Sequence, residues 1–240
     1  MDTENKGATE ADQPRGKSPT GVHQPAGSAG PMCDIRLTTP SWGCMNTWKP
    51  VRLGHASRLI NHGPTVLVTT AAGGMRNVMA AAWSMPVELT PPRVAVVIDK
   101  KTHTWELVHA SGAFALCIPG RVLADLTWTV GSVSGRDCDK FERYGIVAGW
   151  SPNLRVPVIE TGCCAWLECR LIPEPDAEQA YDTCFAEVIA AAADSRIFDN
   201  GRWDFRNDNR DLHTLHHLGA GQFAVAESVV RGHLRGETGC

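Results

Sequence analysis

Residues 100–104, KKTHT, stand between a continuously apolar run, RVAVVI at 93–98, and a stretch of helical character, TWELVHASG at 104–112. Backbone N–H groups in the first turn of a helix lack intrahelical partners and sit at the positive end of the helix dipole, so an anion is stabilised there. Lys101, His103 and the hydroxyls of Thr102 and Thr104 could complete the shell of a phosphate. Thr102 or Thr104 suits the N-cap, Glu106 the first turn and Gly112 the helix stop. A solvated turn with a threonine cap fits the same five residues.

Shortly before this segment comes NVMAAAWS, residues 77–84, in which Asn77, Met79, Ala80, Ala81, Ala82, Trp83 and Ser84 form a run with little side-chain bulk. Small residues let a planar heterocycle approach backbone donors and acceptors, as glycine does near ligands. Tight packing against a neighbouring element would use the same residues. An anion seat and a small-residue slot on successive elements together suit a nucleotide-like ligand.

Other patterns carry less. GAGQFA at 219–224 resembles the dinucleotide fingerprint, but too few residues follow for a βαβ unit and its ribose-binding acid. His213, His216 and His217 have no carboxylate or cysteine at ligand spacing nearby, so no metal is assigned. There is no G-x-S-x-G and no P-loop, which withdraws support from serine and nucleotide hydrolases. The nine cysteines include no CxxC pair, and alternation along a strand would send Cys163 and Cys164 to opposite faces; buried, reduced thiols are expected.

The elements that must position these groups read as short strands with inserted helices. Residues 1–44 are rich in Gly, Pro, Ser and charge without apolar periodicity, and are expected to form a disordered tail. One folded domain is expected over 45–230, followed by a polar tail at 231–240. TVLVTT (65–70), a turn at AAGG and a returning NVMAAAWS make a hairpin, with Pro86 closing the segment. RVAVVI, FALCI (114–118) and CCAWLECRLI (163–172) read as strands, VLADLTWTV and DKFERYG as short helices. DTCFAEVIAAAAD (182–194) is open between helix and strand. A mainly β fold with α insertions, a barrel or a sandwich, is expected. A net charge of −3 offers no general attraction to nucleic acid or anionic membranes, and no apolar run approaches the roughly 20 residues that span a bilayer. The N-terminal residues lack a signal-peptide core, and a cytoplasmic location is expected.

The order of TWKPVRLGHASRLINHGPTVLVTT, NVMAAAWSMPVELTPPRVAVVI, THTWELVHASGAFALCIP, SGRDCDKFERYG, VPVIETGCCAWLECRL, AEVIAAAADSRIFDNGRW and LHHLGAGQFA resembles the flavin reductase-like proteins of the FMN-binding split-barrel class, which include flavoredoxins. The resemblance spans residues 48–223. It implies a split β-barrel that binds FMN non-covalently and forms a homodimer with the flavin near the subunit interface. Residues 77–84 would then run along the flavin ring and ribityl chain, and residues 101–104 would receive the phosphate. The stretch with Ser134, Gly135, Arg136, Asp139 and Lys140 would lie near the active region or the partner, and His216 would line the site near the nicotinamide. The first half of 182–194 would be a barrel strand. Cys117, Tyr181 and Ala186 stand where relatives often carry Asn, His and Gly. The activity implied is oxidation of NADH or NADPH through FMN, with free flavin, a monooxygenase component or another redox protein as acceptor. The other reading is an FMN electron carrier reduced by a protein partner.

Overall fold

The computed structural model describes residues 47–232. The expected tails at 1–44 and 231–240 lie outside these, apart from Arg231 and Gly232.

Strand β1 (Trp48–Pro50) and a 3-10 segment lead into the hairpin β2 (Val66–Ala72) and β3 (Met75–Ala81). Its turn is the Gly73-Gly74 pair alone, at φ +59° and +80°; two positive φ values match the right-handed twist of the arms, and Ala71 and Ala72 stay in the strand. Next come β4 (Ser84–Leu89), β5 (Pro92–Val97), α1 (His103–Ser111), β6 (Ala113–Pro119), α2 (Ala124–Ser132) and α3 (Lys140–Arg143). The chain continues through β7 (Gly149–Trp150), β8 (Pro157–Val158), β9 (Cys163–Ile172), α4 (Pro175–Tyr181) and β10 (Thr183–Asp194). Two small hairpins close it, β11 (Phe198–Asp199) with β12 (Arg202–Trp203), and β13 (Leu215–Gly219) with β14 (Gln222–Val225).

The main sheet is antiparallel in the order β3-β2-β6-β9-β10-β5-β4, with β1 also paired to β10. β3 and β4 are its two ends, yet only Ala82 and Trp83 separate them in the chain. Three Cα steps span at most about 11 Å, so the sheet must curl until its ends face each other. This closed but unpaired seam makes the fold a split β-barrel.

Both sheet faces are buried where it matters. Val66, Val68, Phe114, Leu116 and Ile118 point into one core, while Leu67, Ala113, Ala115 and Cys117 alternate into a second, with Val130, Phe141 and Val158. Burial on both sides explains why β2 and β6 read as continuous apolar runs.

Two sequence expectations need correction. NVMAAAWS is not one returning arm: β3 stops at Ala81, the chain bends at Ala82 and Trp83, and Ser84 starts β4. Pro86 does not close the segment, because β4 is an edge strand and runs through it, with a bulge between Pro86 and Glu88. Within the open stretch 182–194, Asp182 caps α4 and everything from Thr183 to Asp194 is strand, not the first half alone. Its alanines pair with β9, and Ala192 and Ala193 also with β1; Ala191 and Ala193 enter one core and Ala192 the other. Pairing on both edges overrides the helix preference of alanine. Among the described residues no helix is long and apolar enough to cross a membrane.

Candidate functional site

Thr102 is the N-cap of α1. Its hydroxyl donates to the Asp99 carbonyl (2.7 Å) and accepts from the Trp105 N–H (3.2 Å), while Thr102 N–H and Lys101 N–H donate to Asp99. The hydroxyl therefore serves the helix, and the N–H groups of His103 and Thr104 are the first-turn donors left without an intrahelical partner. Gly112, at φ +67°, closes the other end.

Around this N-terminus lies a cleft of about 320 Å³, lined by Asn77, Met79, Lys101, Thr102, His103, Thr104, Ser134, Gly135, Arg136 and Lys140, with the last turn of α2 as a wall. Arg136 reaches across it, donating to the Lys101 carbonyl (3.0 Å) and to Glu106 Oε1 (2.7 Å). His103 Nδ1 stands 3.0 Å from Glu106 Oε2. Arg136 first, then His103, holds the exposed Glu106 carboxyl below its ordinary range. One carboxylate thus ties Arg136 and the His103 ring into the rim.

Asn77 is 2% exposed; its Nδ2 donates to Thr104 Oγ1 (2.9 Å), and its Oδ1 is buried without a hydrogen-bond partner. Such an orphan costs roughly 1–3 kcal/mol unless a ligand satisfies it. Gly135 lies against this amide: a Cβ there would stand 2.2 Å from Asn77 Oδ1.

Lys140 is buried, with its Nζ donating to the carbonyls of Val78 in β3 and Val130 in α2, each at 2.8 Å. Desolvation lowers its pKa to about 8, offset in part by Cys138.

A smaller, apolar compartment of about 130 Å³ continues along β3. It is lined by Thr65, Ala80, Ala81, Ala82, Thr127, Trp128, Gly131, His217 and Phe223. Gly131 lines both compartments. The His217 ring stacks on Trp128 at 6.0 Å and lies 5.4 Å from Phe223, so the β13–β14 hairpin supplies the far wall.

The structure therefore gathers Asn77, Met79, Lys101, Thr102, His103, Thr104 and Arg136 in one compartment and Ala80, Ala81 and Ala82 in the next. Trp83, Ser84 and His216 line neither. The bend after Ala81 leaves Trp83 74% exposed. His216 Nδ1 faces the Gly63 carbonyl (3.0 Å) and its Nε2 faces Thr214 Oγ1 (3.2 Å), while its neighbour His217 takes the cleft side. His217 and Phe223 lie in the LHHLGAGQFA stretch, which does not single them out for the cleft, and for Trp128 and Gly131 a glycine and a tryptophan within a short helix were the available signal.

Residues 58–213 match the flavin reductase-like domain family. The chain belongs to this family. It is similar to the uncharacterized protein YddH of Escherichia coli, with 54% identity over 76% of this chain and 96% of that protein. It is also similar to an FMN-binding domain of a flavin reductases-like enzyme from Shewanella baltica, with 40% identity, a TM-score of 0.75 and coverage of 78% and 98% of the two chains. The flavoredoxin of Desulfovibrio vulgaris shares the fold, at 22% identity and a TM-score of 0.62, over 81% of this chain and 97% of that one. Both compartments lie along β3, an end strand of the sheet, and Ser134, Gly135 and Arg136 of the loop from α2 to α3 line the polar one.

Proposed function

We propose that the two joined compartments bind FMN and that the protein is an NAD(P)H-dependent flavin reductase. The observation that carries this reading is the meeting, at Gly131, of an anion seat and a slot of small residues along one strand edge. The seat offers the N–H groups of His103 and Thr104, the Lys101 ammonium and the Arg136 guanidinium to a phosphate. Asn77 offers an unsatisfied amide oxygen to a ligand hydroxyl. Ala80, Ala81 and Ala82 leave room for a flat ring, and Trp128, His217 and Phe223 bound the space opposite. The family membership and the FMN-binding relative from Shewanella baltica point the same way.

FMN held there would supply two-electron redox chemistry between NADH or NADPH as hydride donor and free flavin, a partner oxygenase or another acceptor. The chain's own residues hold the phosphate, orient the ring and exclude water. The second reading, an FMN electron carrier reduced by a protein, is favoured by the exposed Tyr181 where nicotinamide-using relatives often carry histidine.

A homodimer belongs to the same proposal. Trp83, just before the edge strand β4, and Met85, Val87 and Leu89 within it are 40–74% exposed, an apolar stripe of the kind that marks interfaces. We place the protein in the cytoplasm.

Gel filtration after incubation with FMN tests the binding claim: a yellow protein peak with stoichiometric flavin is expected. A colourless peak at saturating FMN refutes it.

A further inference from the structure

Lys140 is buried and forms no ion pair among the described residues; the carboxylate of its neighbour Asp139 bonds Arg76 and the start of α3 instead. Its ammonium has three N–H donors, and two of them go to the Val78 and Val130 carbonyls. Val130 belongs to the last turn of α2, so the charge also sits at the negative end of that helix dipole. A neutral donor could make the same two bonds without the desolvation cost of a charge. The lysine lines the polar compartment, and one of its acceptors immediately precedes Gly131, the residue shared with the apolar compartment. The lysine thus stands on the polar compartment, held to the residue next to the junction of the two compartments. The phosphate seat has its own cations in Lys101 and Arg136.

We propose that Lys140 is the electrostatic residue that makes the site prefer reduced over oxidised flavin, by holding an ammonium at the junction beside the ring. The inference rests on the FMN reading. Uptake of two electrons and one proton leaves one added negative charge on the ring, and a nearby fixed cation in a low-dielectric cleft stabilises that charge. The same ammonium ties the β3 edge to α2 and so keeps the junction formed.

The test is an equilibrium redox titration of the flavin-loaded full-length protein, with dithionite as reductant and a dye of known potential as reference. It is run on wild type, Lys140→Met, Lys140→Gln and Lys140→Arg. Removing the charge is expected to reduce the preference for reduced over oxidised FMN by about tenfold or more, a fall in midpoint potential of about 30 mV per tenfold. Lys140→Arg should recover most of the shift. The Gln variant retains a donor for the carbonyls and serves if the Met variant does not fold. Loss of affinity equal for oxidised and reduced flavin would show a structural tie only and overturn the proposal. A loss confined to FMN, with riboflavin unaffected, would make Lys140 a phosphate ligand and overturn it as well. A wild-type protein that takes up no flavin refutes the FMN reading itself; a wild type that binds flavin, with variants of unchanged potential, refutes only the role of Lys140.

Discussion

Gly131 in α2 and Ala80 in β3 meet so closely that a Cβ on the glycine would stand 3.1 Å from the Ala80 Cβ. The contact lets the helix lie on the strand edge, where Gly131 lines both compartments. Ala80 is therefore small for its neighbouring helix, whereas Ala82 is exposed and faces the apolar compartment alone. Ala80→Leu should wedge β3 from α2, costing about 1–3 kcal/mol of stability and weakening FMN at least tenfold. Ala82→Leu should weaken FMN while leaving the melting temperature within a degree or two. Denaturant unfolding and flavin-fluorescence titration separate the two outcomes, and equal stability loss in both variants would contradict the division.

The rim carboxylate Glu106 competes with any anion for Arg136 and His103. Glu106→Gln should free Arg136 and the His103 ring and tighten FMN several-fold, with little change for riboflavin, which lacks the phosphate. Lys101→Ala with His103→Ala should do the reverse, weakening FMN far more than riboflavin. Isothermal titration with both ligands decides; parallel changes for the two would remove the phosphate from this seat.

Gly135 and Asn77 give the tightest packing at the site. A side chain at Gly135 would collide with Asn77 Oδ1, so Gly135→Ala should break the Asn77–Thr104 hydrogen bond and turn the amide out of the cleft. Stability should fall by roughly 1–3 kcal/mol and FMN affinity should fall with it. Wild-type binding and melting in this variant would show that Asn77 does not depend on its place.

Acid should loosen the wall that carries His217. Burial first, and then the charge of His216, lowers the pKa of His62 from 6.5 to about 4. Its ring stands 5.4 Å from His216 and 4.9 Å from Trp203, and its Nε2 lies 3.2 Å from Thr214 Oγ1, just before β13. The unfolded chain binds the proton more readily, so stability is full above about pH 6.5 and is lost as pH falls toward 4, by up to about 3 kcal/mol. His62→Gln should flatten the fall in melting temperature between about pH 7 and pH 5. An undiminished fall in that variant would assign the acid sensitivity to other groups.

Much of this arrangement was legible in the residues themselves. The Gly73-Gly74 turn, the caps at Thr102 and Gly112, and the CCAWLECRLI strand are local signals, and the structure places each where its chemistry requires. What was not legible depends on the barrel seam. Only pairing on both edges makes a strand of the alanines in β10, and only the curl of the sheet turns the chain at Ala82 and sends Trp83 outward. His216 and His217 are neighbours in a strand and must point to opposite sides, but which one faces the cleft depends on how the β13–β14 hairpin lies over α2. Trp128 and Gly131 enter through the packing of that same helix on β3.

The most direct test of the whole account is anaerobic mixing of the FMN-loaded protein with NADH or NADPH while following the visible flavin absorbance. Rapid bleaching with at least one of the two, within seconds and saturating in nicotinamide, is the predicted result. Absorbance that stays unchanged with both, in a protein whose flavin is readily reduced by dithionite, would contradict the reductase reading and leave the electron carrier.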